Sequence, residues 1–152
     1  MPSSTTNWVP ALLLSLAVTG AAAQADMVLR DLESKSPRKL SKEEVTELLT
    51  GAKMSRVSAR GNVHYWSNDP GGSFVISSDN RGAGATGSVG RPSTAPGKWH
   101  ISDDGRYCVL IEWKGVPTEE WCRYILQTTD GFYAVRSDSV GTERVFRLEI
   151  KK

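Results

Sequence analysis

The chain has 152 residues, 39% hydrophobic and 24% charged, a balance ordinary for one soluble globular domain and inconsistent with wholesale disorder or a polytopic membrane protein. Its 19 Lys and Arg against 17 Asp and Glu leave a formal charge of +2. Acids and bases are interleaved with no run of five like charges, so a nucleic-acid footprint is unsupported.

The first 25 residues carry no Lys, Arg, Asp or Glu. Their apolar centre, Ala11-Leu12-Leu13-Leu14-Ser15-Leu16-Ala17-Val18, has the length of a signal h-region and is short for a bilayer span. Ala23-Gln24-Ala25 follows as an A-x-A cleavage pattern, which places the mature start at Asp26, with cleavage after Ala23 as the near alternative. Residues 1–25 are therefore expected to be a signal peptide, with no membrane span left after processing. The uncharged segment Met1–Asn7 departs from the usual basic n-region.

Residues 26–39 are polar and contain Pro37, the pattern of a loosely packed lead-in to one domain over 40–152. Ser41 followed by Glu44 is a capping box, Val45, Leu48 and Leu49 form an apolar stripe, and Gly51 supplies the stop of a short helix expected to pack on a sheet. From Met54 onward the period changes to 2. The spacing predicts strands over 62–67, 73–78, 84–89, 98–102, 106–114, 120–128, 132–136 and 144–150, with turns at Asp69-Pro70-Gly71-Gly72, Asp104-Gly105 and Asp130-Gly131. Such a chain must hide its sheet edges, so the expected fold is mainly β. It would be a small antiparallel meander closed as a lipocalin-like barrel or folded into a two-layer sheet, with the N-terminal helix packed on it.

Cys108 and Cys122 are the only cysteines and lie in two apolar runs joined by Gly115-Val116-Pro117-Thr118. A hairpin folded near Gly115 sets them directly opposite one another, where an exported compartment would oxidise them. Closing such a loop stabilises by roughly 3 kcal/mol in the chain-entropy model. Parity puts Cys108, Leu110, Cys122, Tyr124 and Leu126 on one face and Val109, Ile111, Trp113, Trp121 and Ile125 on the other. Both faces of the hairpin should then be covered, the outer one by the capped helix.

Candidate chemistry is sparse. His64 and His100 are the only histidines and their spacing selects no metal, so no metal and no cofactor is expected. Glu119 and Glu120 are adjacent in a strand and point to opposite faces, which rules them out as a general acid/base pair. Gly82-Ala83-Gly84-Ala85-Thr86-Gly87 has the letters of a dinucleotide fingerprint without its flanking strand and helix, and Ser88 is not in a nucleophile elbow. No catalytic residue is assigned. The supply of aromatics is generous, and Trp66, Trp99 and Tyr124 are the candidate ligand-facing side chains if a closed barrel leaves a cavity.

The run Gly97-Lys98-Trp99, Asp103-Asp104-Gly105-Arg106-Tyr107-Cys108, Glu112-Trp113, Glu120-Trp121-Cys122-Arg123 and Gly131-Phe132-Tyr133, with the preceding helix and Gly51, resembles a family of small exported proteobacterial proteins of unknown function. The resemblance covers about residues 40–137. It implies a bacterial envelope or secreted protein and transfers no catalytic residue. The expectation is thus a non-catalytic binding module, periplasmic or secreted, for a small apolar ligand or an envelope protein partner. The alternative is an inhibitor of a cell-wall hydrolase such as lysozyme, and a third class is an envelope enzyme of unknown type.

Overall fold

Runs that alternate in polarity and are joined by short Gly- and Asp-containing turns pair most readily with their chain neighbours. The structure, a computed structural model, describes residues 26–82 and 91–152. Its elements are a 3-10 helix (Leu29–Lys35), β1 (Arg38–Lys39), α1 (Lys42–Leu49), β2 (Lys53–Val57), β3 (Val63–Ser67), β4 (Ser73–Ser78), β5 (Ser93–Ile101), β6 (Tyr107–Ile111), β7 (Glu119–Thr128), β8 (Gly131–Val135) and β9 (Val145–Lys151). The leader, the strand expected over 84–89, most of the Gly-rich stretch and Ser88 lie outside the described residues.

Strands β2 to β9 form a closed eight-stranded antiparallel barrel in which each strand pairs with the next, and Met54 opposite Ile150 joins the last strand to the first. Closure removes the exposed edges, as a meander of this length requires. Among the described residues the strands differ from the expected set by the inclusion of the two-residue β1 and of β2. The inward positions of β2 are Met54 and Arg56, and the cation at one of them hides the apolar alternation. β5 is also longer than expected. It continues through Pro96, which stands opposite Val75, and the Pro96 carbonyl accepts from the Glu112 N–H at 3.1 Å.

Strand β7 is divided between two neighbours. Glu119 to Arg123 pair with β6, while Tyr124 to Thr128 pair with β8, and the short β1 takes over the β6 side at Leu126 and Gln127. From Glu119 to Arg123 the β8 side of β7 therefore has no strand partner among the described residues.

One half of the barrel is occupied by large buried side chains. Met54, Trp66, Phe74, Ile76, Trp99, Tyr107, Val109, Ile111 and Ile125 fill it, and Val45 and Leu49 of α1 join the same core with Leu40 and Ala52. The helix begins at its capping box, with the Glu44 N–H donating to Ser41 Oγ at 3.2 Å and the Ser41 N–H to Glu44 Oε2 at 2.8 Å. Its C-terminal end is tied down by a buried polar chain. Trp66 Nε1 donates to Tyr107 Oη at 3.0 Å, the Tyr107 hydroxyl donates to Asn68 Oδ1 at 2.7 Å, and Asn68 Nδ2 donates to the Leu49 carbonyl at 3.0 Å. That carbonyl, near the helix end, also accepts from the Ala52 N–H at 3.1 Å, so the polar chain ties the core to the helix terminus.

Cys108 faces Cys122 in the β6–β7 register and the two are bonded, with Cα atoms 4.0 Å apart, and the expected parity of the hairpin holds. The cover of its outer face is different from the expectation. Helix α1 joins the inner core, and the outer face near Leu126 is covered by the 3-10 helix, where Leu32 packs in a second core with Leu126, Tyr133, Val135 and Val145. Residues 26–39, polar in composition, are thus packed rather than loose: Leu32 is fully buried, and the Leu29 and Arg30 amides donate to the carbonyls of Glu143 and Gly141. A few apolar residues among charged neighbours are a weak signal in a sequence, yet Leu32 with Met27 and Leu29 packed against the same core docks the segment.

Candidate functional site in the open half of the barrel

The other half of the barrel holds a cavity of about 550 Å³. Its wall is built from the inward positions at the ends of the strands, and it includes Arg56 of β2, His64 of β3, Glu119, Trp121 and Arg123 of β7, and Phe146 of β9. Trp113, just beyond β6, closes one side. The stretch of β7 that lacks a β8 partner, Glu119 to Arg123, borders this cavity.

Glu119 is the fixed centre of the wall. Trp113 Nε1 donates to its Oε2 at 3.1 Å, Trp121 Nε1 donates to its Oε1 at 3.0 Å, and Arg56 forms an ion pair with Oε1. Burial by itself would push this carboxyl up, but the Arg56 guanidinium and the two indole donors outweigh it and hold the group below its ordinary range. A carboxylate engaged by three donors and made more acidic is a weak proton acceptor, so the geometry suits a structural anchor better than a general base.

The cations are arranged about one indole. Arg56 lies 5.4 Å and Arg123 5.8 Å from the Trp121 ring, within the range of cation–π attraction. His64 is buried with its ring 5.5 Å from that of Trp113. Burial and the neighbouring Arg56 hold its pKa below the ordinary histidine value, which keeps the imidazole neutral at pH 7. Among the described residues, His64 Nδ1 and Arg56 Nε have no hydrogen-bond partner.

The three candidate ligand-facing aromatics stand elsewhere. Trp66 and Trp99 point into the barrel but are committed to the packed half, where Trp99 Nε1 donates to the Asp69 carbonyl at 2.9 Å. Tyr124 is on the outer face, its hydroxyl donating to Asp104 at 3.2 Å and its ring under Lys39. The aromatics lining the cavity are Trp113, Trp121 and Phe146. Parity offered a signal for this: Glu119, Trp121 and Arg123 share a face, so an acid and a base alternate with a tryptophan on the inner side of one strand. Of the other titratable residues singled out in the sequence, Glu120 and His100 are exposed on the outer surface. Among the described residues, no group of three or more His, Cys, Asp or Glu side chains is placed to hold a metal ion. None of the described helices is long and apolar enough to cross a membrane.

A family model described as protein of unknown function, DUF995, matches residues 12–147. Neither the curated proteins nor the solved structures contain a match to the chain.

Proposed function

The chain belongs to the DUF995 family, and we propose that it is an exported, non-catalytic binding module, periplasmic or secreted, that takes a small ligand in the open half of its barrel. The observation that carries this reading is the contrast between the two halves of one barrel. One is filled by large side chains and joined by α1, while the other keeps a cavity of about 550 Å³ walled by Trp113, Trp121 and Phe146. Small eight-stranded barrels either fill themselves or hold one ligand, and a volume within the usual 300–1,000 Å³ range of ligand pockets favours the second use here. The fixed Glu119 centre adds the small number of placed polar groups by which such sites orient a ligand.

Export is supported by the apolar leader with its A-x-A pattern and by the Cys108–Cys122 disulfide, a bond that persists in oxidising compartments. Mass spectrometry of protein recovered from its own cells, native and denaturing, tests the whole proposal. The expected result is a chain starting at Asp26, oxidised, with a non-covalent adduct lost on denaturation. A chain retaining its leader with free thiols would overturn export. A protein that carries no adduct and binds no small apolar probe would overturn the ligand site and turn attention to a protein partner.

A further inference from the structure

Resting on that ligand-binding reading, we propose that the cavity selects an amphipathic organic anion, whose acidic group pairs with Arg123 and whose apolar body lies against Trp113, Trp121 and Phe146.

The argument is one of uncompensated charge. Arg56, Arg60, Lys114 and Arg123 line the cavity against the single carboxylate of Glu119, a formal balance of +3 with His64 neutral, in a chain whose total is only +2. Of these cations, Arg56 is already paired with Glu119. Arg123 has no ion-pair partner among the described residues, and its one hydrogen bond goes to the carbonyl of the adjacent Cys122 at 3.0 Å. The segments outside the described residues contain no acid that could serve.

The groups that act on Arg123 reinforce the point. Arg56 and Arg136 repel it, and the one carboxylate opposing them, Glu143, is itself paired with Arg136 at 3.3 Å. Burial and these like charges lower the pKa of the guanidinium from its ordinary value. A half-buried arginine held on an indole face and left without a counter-ion is a receptor for an anion, and arginine is the side chain best shaped to take a carboxylate, sulfonate or phosphate through two parallel hydrogen bonds. Arg60 and Lys114 are exposed and extend the positive field towards solvent, where it would draw an anionic ligand in.

Two fluorescent probes of similar shape separate this proposal from the reading beneath it: 8-anilinonaphthalene-1-sulfonate, an anion, and N-phenyl-1-naphthylamine, its neutral counterpart. The oxidised mature protein should bind the sulfonate about tenfold or more tighter than the amine. Arg123→Gln should remove that preference and leave amine binding within about twofold. Raising ionic strength should weaken the sulfonate alone. Lys114→Gln, at the exposed rim, should weaken the sulfonate less than Arg123→Gln, and it keeps the proposal testable if the Arg123 variant fails to fold.

Displacement of the sulfonate by 1-naphthoate or by decanoate assigns the apolar body as aromatic or aliphatic. Equal binding of both probes, indifferent to Arg123→Gln and Lys114→Gln, would overturn the anion assignment and leave the ligand site standing. Sulfonate binding displaced by neither carboxylate would confine the result to the dye and also overturn it. Failure of both probes to bind would overturn the ligand site itself.

Discussion

Replacing Arg56 by Met removes the cation from the Arg56–Glu119 pair while keeping an unbranched side chain of comparable length. The side chains of the pair are 15% and 30% exposed, which places it between a fully buried pair, whose breakage costs about 3–5 kcal/mol, and a surface pair worth about 0–1 kcal/mol. Arg56→Met is therefore expected to destabilise by about 2 kcal/mol, chiefly because Glu119 is left charged, half-buried and served only by two indoles. Glu119→Gln removes the charge at the other end and should cost about 1–2 kcal/mol. In the double variant the two losses should not add, with a coupling of about 1 kcal/mol or more. Urea unfolding followed by tryptophan fluorescence measures all four proteins.

The pH dependence supplies a second readout of the same pair. In the native chain Glu119 has a folded pKa below its unfolded value, so its contribution is present above the ordinary carboxyl range and is lost as pH falls through the folded pKa. Without Arg56, only the two indole donors oppose burial, and the folded pKa rises from its native position. The loss on acidification then shrinks, so lowering the pH across the carboxyl range should narrow the stability gap between Arg56→Met and the native chain. Additive losses within about 0.5 kcal/mol, together with parallel pH profiles, would refute the coupling argued from the structure.

Gly97 faces Phe74 across the β4–β5 pair, and a Cβ built there would stand 2.1 Å from the ring, so Gly97→Ala should destabilise by about 1–3 kcal/mol in spite of the better strand propensity of alanine; a urea midpoint at or above that of the native chain would refute the close approach. Cys108→Ala/Cys122→Ala opens a link across 14 positions and should lower stability by about 3 kcal/mol, measured by the same unfolding transition. Leu32→Ala should cost about 2–5 kcal/mol if the 3-10 helix is part of the cooperative unit, whereas a loss below about 0.5 kcal/mol would show it to be a dispensable flap. Acidification from pH 7 through the ordinary histidine range should also lower stability, because His64 stays neutral in the fold and protonates first in the unfolded chain; His64→Gln should remove that component of the pH profile.

Local rules written in the order of residues were legible without any structure. The Ser41–Glu44 capping box, the inward and outward parity of the β6–β7 hairpin and the pairing of Cys108 with Cys122 depend on spacings no longer than one hairpin, and all stand in the fold. A mainly β chain that disposes of its edges also followed, with a barrel and a two-layer sheet both open, and the fold takes the barrel. Strand β2 did not follow, since a polar residue at an inward position is recognisable only when its partner is known, and the partner of Arg56 lies 63 residues away at Glu119. The tertiary structure alone decided which inward aromatics also border a cavity. Trp66 and Trp121 have the same parity relative to the barrel and pack in one connected core, Trp121 edge-on to Tyr107 at 5.7 Å, but only Trp121 reaches the cavity, because the position of an inward side chain along the barrel depends on the stagger of strands around the closed sheet. That stagger is a property of all eight strands at once, so no window of the sequence contains it.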